Sequence, residues 1–185
     1  PLPALGIEFP GLTVIDAEVF ALTGTVGGLS ARSVLEATLV HEIAHQWFYN
    51  LVGSDQAAEP WLDEAAAQYA TMLYYLDRYG EEAADAYVDS WWSRWGRVDR
   101  ALTPVGLPAS GYSATEYGAI VYGRGPLFLE TLAASMGSRA FDAFLKTYVT
   151  HFAWRIATAA DFLATAEEAC GCDLDVLSAA WLAEP

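Results

Sequence analysis

The chain has 185 residues, within the ordinary range of one domain. With 54% hydrophobic and 14% aromatic residues it can bury a sizeable core, which excludes a disordered chain. The formal charge is −15, from 24 acidic against 9 basic side chains, and this excludes a nucleic-acid partner, which needs clustered Lys and Arg.

Gly6 to Phe9 reads as a strand ended by Pro10-Gly11, and residues 12–16 and 18–22 as two more short strands, β-branched and partly alternating. A loop at 24–28 follows. From Ser33 the period becomes helical, so residues 1–25 form a short β edge to a mostly helical 33–185. The first helix is expected over 33–51 and the second over 60–79. Pro60 suits a first turn, where a missing N–H costs nothing, and Gly80 suits the stop. A third runs over 81–95. Residues 96–113 carry Gly and Pro with little periodicity, a length usually functional or mobile. The helical pattern returns near Ala114, breaks at Gly123-Arg124-Gly125-Pro126 and continues to Met136. A helix over 138–152, one N-capped by Thr158 with Asp161 and closed by Gly171, and a short one over 173–182 complete the chain. The fold class is therefore mainly α.

No apolar run reaches the roughly 18 residues of a membrane span. The chain lacks an initiator Met and a charged-then-apolar leader, so an upstream segment is expected to have been removed or left out. Cys170 and Cys172, one residue apart, do not make a spaced disulfide framework and read as free thiols. Trp91, Trp92 and Trp95 read as helix packing rather than a membrane-interface patch, and His151 as a capping or packing residue.

His41-Glu42-Ile43-Ala44-His45 carries the chemistry. A chain of this His and Glu content holds about 0.003 such patterns by chance, so the motif is specific. Positions i and i+4 share one helical face, and both imidazoles can reach one metal ion. Glu42 lies about 100° round the helix from His41, beside the metal, where it can take a proton from water. A catalytic zinc takes three protein ligands and keeps one position open. Glu64, in Trp61-Leu62-Asp63-Glu64 with 18 residues between it and His45, is the best third ligand. A turn around Gly53-Ser54-Asp55 lets the second helix fold back and present it. Asp63 and Gln68 could orient a ligand, but read more simply as solvated polar residues.

The stretch His41-Glu42-Ile43-Ala44-His45-Gln46-Trp47-Phe48, its gap, and Trp61-Leu62-Asp63-Glu64 resemble the gluzincin zinc aminopeptidases, the membrane alanyl aminopeptidase family. Thermolysin-type endopeptidases share both features with a gap typically one residue longer. The resemblance implies a thermolysin-like zinc peptidase catalytic domain, with short strands at the N-terminus and a helical C-terminal part. It also implies Zn²⁺ on His41, His45 and Glu64, Glu42 as general base and a peptide as substrate. Val121-Tyr122-Gly123-Arg124-Gly125 resembles the family's Tyr-x-Lys-Gly segment, whose Tyr assists catalysis. Tyr122 is therefore expected at the oxyanion, with Tyr117 as the other register and Arg124 in place of Lys. Leu5-Gly6-Ile7-Glu8-Phe9 stands where the family has Gly-x-Met-Glu-Asn, with the first Gly, Met and Asn replaced. It implies that Glu8 holds the substrate's α-ammonium group and that Gly6 belongs to the substrate-binding strand, an edge that could pair with an extended peptide.

Phe141, Tyr148, Asp161-Phe162 and Asp173-Leu174 followed by Trp181 resemble the family's helical tail. The resemblance further implies a β-rich domain ahead of residue 1, supplying part of the substrate site, and a secreted or membrane-attached bacterial protein. A same-clan endopeptidase and a non-catalytic zinc-binding scaffold are the alternative readings.

Overall fold

Two strands open the chain, β1 (Gly6–Phe9) and β2 (Leu12–Ile15), paired antiparallel with Gly6 opposite Ile15 and Phe9 opposite Leu12. The turn between them needs Gly11, whose φ is 73°. The computed structural model describes residues 4–26, 29–99 and 103–183, so Gly27 and Gly28 of the expected loop and residues 100–102 lie outside the described residues.

The third expected strand is instead a 3₁₀ turn, Ala17–Ala21. The Asp16 carboxylate accepts from the Glu18 N–H at 2.8 Å and winds the segment, which has one buried residue, Val19, to hold it. A small antiparallel pair, β3 (Thr25–Val26) and β4 (Leu29–Ser30), leads into α1 (Ala31–Ala44). The Ser30 side chain caps α1 by accepting from the Ser33 N–H at 3.1 Å.

Helix α1 stops at Ala44 rather than running to 51. Past His45 the chain turns through Tyr49, with φ 105°, and Tyr49 N–H donates to the Val52 carbonyl at 2.8 Å. Val52–Gly53 then forms β5, which pairs in parallel with β6 (Arg155–Ile156). Neither strand was expected, because two residues carry no periodicity to read.

Helices α2 (Trp61–Tyr79) and α3 (Glu81–Trp95) fall where expected, separated by Gly80 at φ 89°. After a 3₁₀ turn at Ala109–Gly111, a Ser113–Glu116 capping box starts α4 (Ala114–Ala119). The expected break at 123–126 is a widened π turn, Ile120–Arg124, that passes directly into α5 (Gly125–Met136). Helices α6 (Ser138–His151), α7 (Ala159–Cys170) and α8 (Asp175–Leu182) follow, α7 with the Thr158–Asp161 capping box and left-handed Gly171 that the sequence suggests. His151 packs edge-on against Phe152, a packing role as expected.

The cysteines correct the sequence reading. Cys170 and Cys172 are disulfide-bonded, because Gly171, at φ 62°, reverses the chain and leaves their Cα atoms 5.2 Å apart. Among the described residues, no helix is long and apolar enough to cross a membrane.

Helix α2 is the core element, packed against α1, α3 and α5. Trp61, at its start, meets Phe128 of α5 and Phe162 of α7 edge-on, and Phe162 meets Phe144 and Tyr148 of α6. Each such ring fully buried is worth roughly 1.5–3 kcal/mol of transfer free energy. Trp91 is buried, Trp95 lies 6.1 Å from Trp181, and Trp92, though exposed, has its ring 5.2 Å from that of Trp95, so the three tryptophans pack as expected.

The π turn sits directly on α3. A Cβ on Gly123 would lie 2.9 Å from both the Trp91 carbonyl oxygen and the Trp95 nitrogen, which are backbone atoms that cannot swing aside. Gly123→Ala is therefore expected to destabilise the fold by about 1–3 kcal/mol. A urea titration followed by near-UV circular dichroism checks this, and an unchanged midpoint refutes the tight contact.

Candidate metal centre

His41 and His45 project from the last turn of α1, and their rings meet edge-on with centroids 4.7 Å apart. The end of the helix sets the second ring. The chain turns at residues 45–48, so the Phe48 carbonyl accepts from His45 Nδ1 at 3.0 Å. With Nδ1 carrying a proton, Nε2 of the neutral ring keeps its lone pair for a ligand.

Helix α2 brings the third donor. Glu64 lies in its first turn, and its Oε2 is 3.0 Å from His41 Nε2 and 3.3 Å from His45 Nε2; the two Nε2 atoms are 3.1 Å apart. Tetrahedral zinc bonds of about 2.0–2.1 Å place ligand atoms about 3.3–3.4 Å from one another. The observed triangle matches that face closely, and two imidazoles with one carboxylate are a donor set of catalytic zinc. His41, His45 and Glu64 can therefore hold the ion. Glu8, Glu42 and His45 form a second close trio sharing His45.

The other expected residues converge on the same place. Glu42 is buried, and its Oε2 has no hydrogen-bond partner among the described residues. Gly6 of β1 makes room for it, since a Cβ there would lie 2.5 Å from Glu42 Oε1. Glu8 accepts from Gln56 Nε2 at 3.2 Å. Tyr122, in the π turn, donates to Glu64 Oε1 at 2.5 Å, whereas Tyr117 meets the Tyr122 ring edge-on with centroids 5.9 Å apart. All of these line one cleft of about 590 Å³.

Asp63 and Gln68, read from the sequence as solvated, are both buried. Asp63 accepts from the Glu64 N–H at 2.9 Å and from Gln56 Nε2 at 2.8 Å, which fixes the start of α2. Gln68 Oε1 accepts from Tyr87, Trp91 and Arg94, so it ties α2 to α3. Gln56 and Arg94 have no sequence signal: each acts through a fold-dependent contact. Arg124 is structural. It donates to the Thr103 carbonyl at 2.5 Å and the Ala180 carbonyl at 3.1 Å, and lies over the rings of Trp95 and Trp181.

The electrostatics favour a cation. Burial opposes a charge on His45, but its hydrogen bond to Glu64 and the charges of Glu64, Asp63 and Glu8 raise it to about 9. Burial dominates at His41 and lowers it. Burial also works to raise Glu64, yet the two imidazoles hold it well below the usual carboxylate range. Glu42 is pushed up to about 7 by burial, against His45, with Glu8 and Glu64 adding repulsion. Burial and the Glu64 charge raise Tyr122 well above the ordinary phenol, so it stays a donor. A divalent ion takes the place of the proton this negative field attracts.

The Peptidase family M1 domain signature matches residues 2–181. The chain is 27% identical over 179 residues to aminopeptidase N of Streptomyces lividans, covering 92% of this chain and 20% of that protein. It is 29% identical over 185 residues to human aminopeptidase B, covering 87% of this chain and 25% of that protein. The chain thus spans about a quarter or less of these relatives' length. Its fold is similar to a mutant M1 zinc metallopeptidase from Deinococcus radiodurans bound to a Tyr-Ser-Ala substrate. The TM-score is 0.73 at 26% identity, over 100% of this chain and 38% of that one. Yeast LTA4 hydrolase shares the fold, with a TM-score of 0.73 at 22% identity over 99% of this chain and 30% of that one.

The triangle predicts one zinc per purified chain and none in His41→Ala, read by elemental analysis after exhaustive dialysis. Stoichiometric zinc in the variant refutes the assigned ligand set.

Proposed function

The chain belongs to peptidase family M1, and from that premise we propose that it is a zinc aminopeptidase's catalytic core, one part of a longer protein. The observation that carries the reading is the 3.0–3.3 Å triangle of buried His41 and His45 with partly buried Glu64, and Glu42 and Tyr122 lining the same cleft. The relatives are aminopeptidases, which favours a substrate with a free amino end.

When bound, zinc supplies Lewis acidity: it polarises a peptide carbonyl and makes water acidic near neutral pH. The side chains supply the rest. Glu42 lines the cleft, has a buried carboxylate oxygen without a hydrogen-bond partner among the described residues and a proton affinity near neutrality, so it can accept a proton from water and pass it to the departing amine. Tyr122 keeps its phenolic proton and can donate it as a hydrogen bond to the developing oxyanion, once it leaves Glu64. Glu8, held by Gln56 and adjacent to Glu42, is the group placed to pair with the substrate's α-ammonium. Asp63 acts indirectly: it accepts from the Glu64 N–H and from Gln56, the same amide that holds Glu8. The remainder of the longer protein would complete the substrate site above this cleft.

Glu42→Gln is expected to keep zinc while lowering turnover of an amino-acid anilide by about 10²–10⁴-fold. Tyr122→Phe should likewise keep zinc, with kcat reduced on the order of 10²–10³-fold. Either variant turning over at the parent rate refutes its role.

Blocking the amino end separates exo- from endopeptidase action. N-acetylation should abolish cleavage of a peptide that the chain hydrolyses in free form. Equal cleavage of both forms, followed by mass spectrometry, identifies an endopeptidase and removes Glu8 from its assigned role.

A further inference from the structure

The cleft is acidic around the metal centre, yet two of the chain's 9 basic side chains, Arg94 and Arg97, also line it. Arg94 ends the last turn of α3 and Arg97 follows in the turn after it. Arg94 Nη1 donates to Gln68 Oε1 at 3.3 Å and to the Tyr122 carbonyl at 3.2 Å. It therefore lies on the Tyr122 side of the centre. Glu8 lies on the other, grouped with Glu42 and His45 and bonded to Gln56. Along the cleft the charge changes sign, from carboxylates at the β1 end to guanidinium groups at the α3 end.

A ligand complementary to that field carries a cation at one end and an anion at the other, with the reacting bond between. The proposed reading already places an ammonium group at Glu8, and this step rests on that reading. We propose that Arg94 and Arg97 form a carboxylate subsite on the leaving-group side of the scissile bond, taking the C-terminal carboxylate of a short peptide or an acidic side chain of equal reach.

Three physical points support the assignment. A guanidinium presents a rigid fork of donors that matches a carboxylate with two parallel hydrogen bonds, which a lone ammonium cannot do. Arg94 is already fixed by Gln68 and Tyr122, so less side-chain freedom is lost on binding. The cleft volume of about 590 Å³ lies within the roughly 300–1,000 Å³ of small-ligand sites, enough for a few residues rather than a long segment. The chain selects short peptides by charge at both ends.

Calorimetric titration of the zinc-loaded Glu42→Gln chain tests this with three probes: Ala-Ala-Ala, its C-terminal amide, and the amide of Ala-Asp-Ala. The free acid should bind about tenfold more tightly than its amide. Arg97→Gln, at an exposed position that leaves folding intact, should bring that ratio close to one. If the Ala-Asp-Ala amide regains the affinity, the subsite stands with a side chain as its source. Equal binding of acid and amide, no binding of any probe, or a ratio that survives Arg97→Gln overturns the subsite. Anilide hydrolysis by the parent chain keeps the two readings apart. Hydrolysis without a carboxylate preference removes only the subsite, whereas no hydrolysis of any free-amine substrate removes the peptidase reading itself.

Discussion

Two buried imidazoles and a partly buried carboxylate within 3.0 to 3.3 Å of one another form the constraint to which the rest of the molecule answers. Ionised groups buried together are costly unless each is paired and bonded. Three local features bring them there. Helix α1 ends at the second imidazole, so the turned chain offers Phe48 as the acceptor that fixes the ring. Helix α2 begins close enough to Glu64 that Asp63 can hold the Glu64 N–H. The π turn widens the α4–α5 path by one residue and lets Tyr122 reach Glu64 Oε1.

Around that triangle the chain concentrates more negative charge than the ligands need. Glu8, Glu42, Asp63 and Glu64 come from two helices and a strand, and Asp63 is raised to about 7 by burial and the charge of Glu64. Such crowding opposes folding unless a positive charge enters. One Gln56 amide bridges Glu8 and Asp63, which relieves part of the repulsion. A divalent cation relieves far more, so metal binding and the packing of α1 against α2 are thermodynamically linked.

The candidate metal ligands were legible in the sequence because helical spacing alone brings His41 and His45 to one face, and a known spacing points to Glu64. Helix α2, helix α3 and the α7 caps were legible for a related reason: their signals are local. What failed depends on contacts between distant residues. The α1 terminus is decided by the β5–β6 pair, whose members lie about a hundred residues apart. The 18–22 segment has strand-like residues, but the Asp16 cap wins at so short a length. Asp63 and Gln68 are polar residues in a helix start and interior, and only the packing of α3 and the loop before α2 turns them into buried connectors. Arg94 acts through the Tyr122 carbonyl, 28 residues away, and no periodicity reports that.

Arg124 shows how a departure from the family pattern is absorbed. A Lys in this place would offer one compact charge. The Arg124 guanidinium instead donates to the Thr103 and Ala180 carbonyls while lying 5.5 and 5.4 Å from the ring centres of Trp95 and Trp181. A flat, delocalised cation can satisfy two carbonyls at its edge and two aromatic faces at once, and an ammonium cannot. The substitution and the two tryptophans therefore belong together. Through them the C-terminal helix α8 is fastened to the π turn two residues from Tyr122, so the far end of the chain helps set the position of a phenol at the metal centre. A residue in a motif associated with catalysis here acts as a clamp.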